Sequence, residues 1–180
     1  MAELRIVGGE LGGRRLKVPR GARLRPTTER VREALFSILG DLSGLRALDL
    51  FCGTGALGIE ALSRGAAGAT LVDTDVRVAR RNVEALDLSD SARVVRSDVV
   101  RFLRRAEPGG FDLVLCDPPY RLADLRGAEL GPLIDGCLAT GGRVVIESAA
   151  ETPLELGLPL LDERRYGDTL LRIHGTGASR

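Results

Sequence analysis

The segment FDLVLCDPPY, residues 111–120, ends an apolar run on an acid, two prolines and a tyrosine. The Asp117 carboxylate accepts hydrogen bonds, and so does the carbonyl of Pro118; the prolines fix the backbone that carries both. Tyr120 adds a flat ring on which a nucleic-acid base can stack, a contact worth about 1–3 kcal/mol. The C-terminal end of a parallel strand is where such groups gather into a site. The plainer alternative is an Asx-Pro turn closing a strand, with Tyr120 as a half-buried aromatic.

A second constellation lies in LDLFCGTGALGIEA. Gly53, Gly55 and Gly58 are spaced Gly-x-Gly-x-x-Gly between a strand-like and a helix-like stretch. Glycines there let the backbone pass close to a ligand and let the helix pack near the sheet. Asp73 ends the next strand-like run, 20 positions after Gly53, where an acid holds ribose hydroxyls. The two features predict an adenosine-bearing ligand and leave a dinucleotide and S-adenosylmethionine both open. Asp49 tilts the choice. A carboxylate repels a pyrophosphate and attracts a cation, and S-adenosylmethionine carries a sulfonium and an ammonium. The 180 residues also leave no room for the separate substrate domain of many dehydrogenases.

The elements that must position these groups alternate. Strand-like runs begin near residues 46, 68, 92, 111 and 142, and helical spacing fills the intervals. One such helix places Val76, Ala79, Val83 and Leu86 on one face; another stripes Leu130, Leu133, Ile134, Cys137 and Leu138. Alternation of this kind predicts an α/β fold, Rossmann-like, with a mostly parallel sheet and helices on both faces. PLLDERRY and DTLLRIH flank Gly167 too closely for a helix, and predict an antiparallel C-terminal hairpin. At the front, LRIVGGELGGRRLKV predicts a β-hairpin, RGARLRP a loop, and Thr27 or Thr28 the cap of a helix ending at Gly40. The domain reading is a basic appendage over 1–26 and a catalytic domain over 27–180.

Charge divides the same way. Residues 1–32 carry nine basic and three acidic side chains, a net of +6; with +1 for the whole chain, the rest carries −5. A basic front on an acidic body suggests a polyanion, with Arg14, Arg15, Lys17, Arg20, Arg23 and Arg25 as its phosphate contacts. A solvated surface is the plain alternative. No apolar run approaches the roughly 18 residues of a membrane span. A soluble, cytoplasmic protein is expected, with no membrane partner. Three cysteines without Cys-x-x-Cys spacing and a single histidine, His174, argue against a metal site. Cys116 and Cys52 read as packing residues.

LDLFCGTGALGIEA, LVDTD, RSDVVRFL and FDLVLCDPPY, in this order, resemble the class I S-adenosylmethionine-dependent methyltransferases that act on exocyclic amines. The front RIVGGELGGRRLKVP with RPTTERVREALFSIL, and the tail ERRYGDTLLRIH, are similar to the RsmD family of bacterial 16S rRNA guanine-N2 methyltransferases. The resemblance covers nearly the whole chain. It implies a seven-stranded sheet, S-adenosylmethionine as cofactor, and 16S rRNA as partner, presented within a small-subunit particle to a monomeric enzyme.

Residue by residue, the resemblance implies that Asp49, Gly53 and Gly55 lie under the cofactor's methionine part. It puts Asp73 on the ribose, with Asp75 as the rival, Asp98 near the adenine, and Thr28 and Arg30 beside the cofactor. Asp117, Pro118 and Tyr120 become the catalytic group. Acceptors on the two N–H groups of an exocyclic amine favour a tetrahedral nitrogen and stabilise the charge that develops there. The tetrad does not choose the base, so an adenine-N6 methyltransferase of DNA or RNA stays open. A non-catalytic RNA-binding assembly factor with the same fold is the remaining rival.

Overall fold

The computed structural model describes residues 3–18 and 27–176, and the side chains of 29–119 and 128–176 within the second span. Two short strands, β1 (Glu3–Arg5) and β2 (Arg15–Lys17), form the expected front hairpin, with Leu4 opposite Leu16. Then follow α1 (Thr27–Leu39), β3 (Arg46–Leu50), α2 (Ala56–Ser63), β4 (Gly68–Asp73), α3 (Arg77–Ala85), β5 (Ala92–Arg96), α4 (Val99–Leu103) and β6 (Phe111–Cys116). The chain continues through α5 (Tyr120–Cys137), β7 (Leu138–Ala149), β8 (Leu160–Tyr166) and β9 (Thr169–Gly175).

Seven strands make one sheet in the order β5-β4-β3-β6-β7-β9-β8. β3 to β7 run parallel; β9 returns antiparallel to β7, and β8 pairs antiparallel with β9. The chain starts in the centre at β3, winds out through β4 and β5, then crosses to β6 on the other side. That reversal is the point at which doubly wound sheets bind ligands.

The central strands are buried on both faces, so their side chains split by alternation. Ala47, Ala69, Leu71, Leu113, Leu115 and Val145 join one core with α1, α2 and α3, while Leu48, Leu50, Val72, Val114 and Ile146 join a second with α4 and α5. Leu4, Ile6, Leu16 and Val18 of the front hairpin belong to the first core, each under a tenth exposed. The hairpin is therefore seated on the body and shares its core.

Two boundaries differ from the sequence pattern. Leu138, read with the helical stripe, caps α5 in extended conformation (ψ 136°) and begins β7. α5 itself starts at Tyr120, directly after the prolines, and tolerates Pro132 inside it. Apolar periodicity could not show its first half, because RLADLRGAEL mixes charges through both faces.

Candidate active site

The sheet delivers an acid at the C-terminal end of every one of its parallel strands. Asp49 lies in β3, Asp73 ends β4, Asp98 follows β5, Asp117 follows β6, and Glu147 lies near the end of β7. Register aligns them: Leu50 pairs with Val72 and with Cys116, and Cys116 with Ile146. Asp73, Phe51, Asp117 and Glu147 are each the next residue along these four neighbouring segments.

Between Asp73 and Asp117 the chain turns sharply out of the sheet. Phe51 adopts φ 59°, a left-handed conformation that a bulky side chain reaches only at a cost of about 1–2 kcal/mol. The turn lets the Cys52 amide donate to the Val72 carbonyl at 3.1 Å. Gly53 (φ 52°) and Gly55 (φ 79°) continue it in the same left-handed region. A side chain on Gly55 would stand 2.6 Å from the Leu71 methyl, whereas one on Gly53 would meet nothing closer than the Phe51 carbonyl at 4.0 Å. So Gly55 is needed for packing as well as conformation, and Gly53 leaves open space over the loop.

Acids pin that loop from two sides. Asp73 Oδ2 accepts from the Gly53 amide at 2.9 Å, and Asp49 Oδ2 accepts from the Gly58 amide at 2.8 Å, at the start of α2. Asp49 is only 1 % exposed and sits beneath the loop. Burial, opposed by the Gly58 hydrogen bond and aided by negative Asp73, pushes its pKa up to about 7. Asp75 is engaged elsewhere. Arg77 grips it through Nε at 2.9 Å and a second guanidinium nitrogen at 2.6 Å, which holds its pKa down at about 2.

Asp117 is solvent-accessible, beside buried Pro118. Protein crowding around its carboxyl, with negative Glu147 and Asp49 nearby, raises its pKa well above the usual carboxylate range. Burial likewise pushes the Cys116 and Cys52 thiols up, with Asp117 and Asp49 respectively the nearest aggravating charge. Neither thiol is a ready nucleophile, in keeping with their reading as packing residues.

Asp98 caps α4, its Oδ1 accepting from the Arg101 amide at 3.1 Å. Arg30 is exposed in the first turn of α1. Arg14, Arg15 and Lys17 are exposed on the front hairpin, with Arg15 ion-paired to Glu3. Arg20, Arg23 and Arg25 lie outside the described residues, as do the side chains of Thr28 and Tyr120. Among the described residues there is no cluster of histidine, cysteine and acidic side chains able to hold a metal, and no helix long and apolar enough to cross a membrane.

Sequence reasoning missed three residues of the site. Phe51 is one, since only coordinates show its strain. Glu147 is another; it was part of an apolar strand, and only the β6–β7 register brings it beside Asp117. The third is Asn82 on α3, buried at 2 % exposure, whose Nδ2 donates to the Thr54 carbonyl at 2.9 Å inside the glycine loop. A lone polar residue on an apolar helix face was its only signal.

A family model described as "Conserved hypothetical protein 95" matches residues 4–175. The chain is 42% identical over 157 residues to "Ribosomal RNA small subunit methyltransferase D" of Escherichia coli (strain K12), covering 84% of this chain and 78% of that one. It is 38% identical over 181 residues to the protein of the same name from Haemophilus influenzae, covering 96% and 93%. Among solved structures, one from Escherichia coli superposes with a TM-score of 0.83 at 38% identity, covering 99% of this chain and 100% of its own. An S-adenosylmethionine-dependent methyltransferase from Mesorhizobium loti, 15% identical with a TM-score of 0.63 over 82% of this chain and 96% of its own, shares the fold.

Proposed function

This chain belongs to the RsmD family, and from that membership we propose that it transfers a methyl group from S-adenosylmethionine to the exocyclic N2 of a guanine in 16S rRNA. Family and fold make it an S-adenosylmethionine-dependent methyltransferase of ribosomal RNA; the guanine, its N2 and the residue roles are our reading. The observation that carries them is the placement of Asp73 and Asp117, each one residue beyond a partner of Leu50, on either side of the glycine loop and at the point where the sheet reverses its winding. A cofactor bound by Asp73 would lie within one strand's breadth of an acceptor for the amine.

The residues fit a cationic cofactor. Acids line the sheet edge, and open space lies over Gly53. S-adenosylmethionine, when bound, supplies a methyl group on a positively charged sulfur. Asp73 would hold the ribose hydroxyls; the Arg77 grip on Asp75 favours Asp73 over its rival. Asp49 would favour the cationic end from below, and Asp98 would border the adenine. Thr28 and Arg30 would close the site from α1. The amine's N–H groups would meet Asp117 and the Pro118 carbonyl, with the base stacked on Tyr120. Methylation of the amine would put positive charge on nitrogen, and one proton would have to leave. A carboxyl with raised proton affinity, as at Asp117, is suited to receive it.

Arg14, Arg15 and Lys17, with Arg20, Arg23 and Arg25, would contact backbone phosphates of the RNA around a guanine presented within a small-subunit particle. Acting on that substrate, the enzyme would be a monomer in the cytoplasm. In domain terms, residues 1–26 would be the substrate-facing appendage and 27–180 the catalytic unit.

The test is methyl transfer to 16S rRNA or small-subunit particles, read by mass analysis of nucleoside digests. N2-methylguanine is expected; N6-methyladenine would select the adenine alternative, and no product would favour the assembly factor. Asp117→Ala should lower the rate by about 10²-fold or more, the scale of a lost transition-state hydrogen bond, with cofactor affinity nearly unchanged. Normal turnover by that variant would remove Asp117 from the mechanism.

A further inference from the structure

The glycine loop presents a folding problem that its own residues do not solve. Thr54 stands between two glycines in left-handed conformation, so the direction of its carbonyl is set by neither strand nor helix. The amides of the loop are fixed by acids, Gly53 by Asp73 and Gly58 by Asp49. The Thr54 carbonyl is fixed by the Nδ2 group of Asn82 at 2.9 Å.

The same amide reaches the other way. Asn82 Nδ2 also donates to the Lys17 carbonyl at 3.1 Å, and Asn82 Oδ1 accepts from the Lys17 amide at 2.8 Å. Lys17 is the last residue of β2. One buried side chain therefore holds both backbone groups of the hairpin's final residue and the carbonyl at the centre of the loop. Both Nδ2 hydrogens are used on carbonyls, so only an amide suits the place. The acid of the same shape has no donor to offer and would set a carboxylate against two carbonyl oxygens.

We propose that Asn82 is a positioning residue for the cofactor loop, and that it couples the seating of the N-terminal hairpin to cofactor binding. The proposal rests on the reading of the glycine loop as the S-adenosylmethionine site, and it is independent of whether the hairpin contacts RNA. The hairpin enters the core through Leu16 and Val18 on either side of Lys17, so a displaced β2 would pull the Asn82 amide and release the Thr54 carbonyl. A well-seated β2 keeps the loop in its binding shape before ligand arrives.

The experiment is calorimetric titration of the full chain with S-adenosylhomocysteine, without RNA, alongside thermal melting. Asn82→Asp should weaken binding by about tenfold, the scale of one or two lost hydrogen bonds. It should raise KM for S-adenosylmethionine more than it lowers kcat. Ser63→Ala is the matched control: it removes the hydroxyl that accepts from the Leu11 amide at 3.0 Å and donates to the Gly8 carbonyl, on the hairpin's far side from the loop. It should lower the melting temperature comparably and leave the affinity within twofold. Leu16→Ala should weaken binding in the natural background and add nothing in Asn82→Asp. Should Asn82→Asp not fold, Asn82→Ser gives the same reading. Natural affinity in the Asn82 variant, or equal losses in Ser63→Ala, would overturn the positioning role. Additive effects of Leu16→Ala and Asn82→Asp would overturn the coupling. A natural chain that binds no S-adenosylhomocysteine would overturn the reading of the loop itself, before any substitution is made.

Discussion

A carboxyl that shares its burial with a ligand's positive charge turns acidity into a control on binding. Asp49 has its pKa pushed up to about 7, against roughly 3.9 for an aspartate in an unfolded chain. Without cofactor, rising pH between about 4 and 7 ionises the unfolded chain first, so this group's contribution to stability falls across that window and is constant above it. A cationic ligand reverses the preference by favouring the ionised form. Affinity for S-adenosylmethionine should therefore climb as pH rises from 6 towards 8, approaching tenfold per unit at the acid end and levelling above 7. Calorimetry at three pH values on the natural chain and on Asp49→Asn checks it. The asparagine oxygen can still accept from Gly58, and the curve should flatten; an equally steep curve in the variant would assign the dependence to another group. The sequence made Asp49 legible as a charge near the loop but not as a buried one, because strand position alone does not say whether α2 covers it.

At the level of elements, the seating of the hairpin depends on one acid in α2. Glu60 is fully buried and accepts from the Val7 and Gly8 amides, each at 2.8 Å, and from Arg64 Nε at 2.9 Å. Arg32 of α1 faces it at 3.6 Å and donates to the Arg5 carbonyl. Removing the carboxylate would leave a buried guanidinium without its counter-charge and two backbone amides without an acceptor. Glu60→Ala should cost about 3–5 kcal/mol in denaturant unfolding, and Glu60→Gln less, since one acceptor remains. A loss below about 1 kcal/mol would mean that water replaces the carboxylate. Hydrophobic alternation made the hairpin, the parallel strands and the C-terminal hairpin legible in the sequence. The latch was not, because Glu60 lies 52 residues from Gly8, and a glutamate in ALGIEALS reads as a solvent-facing position.

For the molecule as a whole, charge is divided between a front of +6 and a remainder of −5. Long-range attraction of a polyanion must therefore come from the front, since the row of acids at the sheet edge repels one. Replacing Arg14 and Arg15 by Ala should weaken binding to all RNAs about equally and leave the methylated base unchanged. The slope of log affinity against log salt should fall by about 0.7–0.9 for each phosphate that is no longer neutralised. RNA titrations at several salt concentrations measure it, and an unchanged slope would reduce these arginines to a solvated surface. Removing residues 1–20 outright is no substitute: it strips Leu4, Ile6, Leu16 and Val18 from the core and is expected to lower stability and cofactor affinity together.

The hairpin also precedes the body in the order of synthesis. Its first strand is complete at Arg5 and its second at Lys17, yet its partners Glu60, Ser63 and Asn82 emerge 43 or more residues later than Lys17. A nascent chain that has not reached Glu60 can pair β1 with β2, but it lacks the polar side chains that seat them. The basic surface is thus ordered only after the first two helices of the winding sheet exist. A truncated or stalled chain would carry the same arginines without the arrangement that aims them.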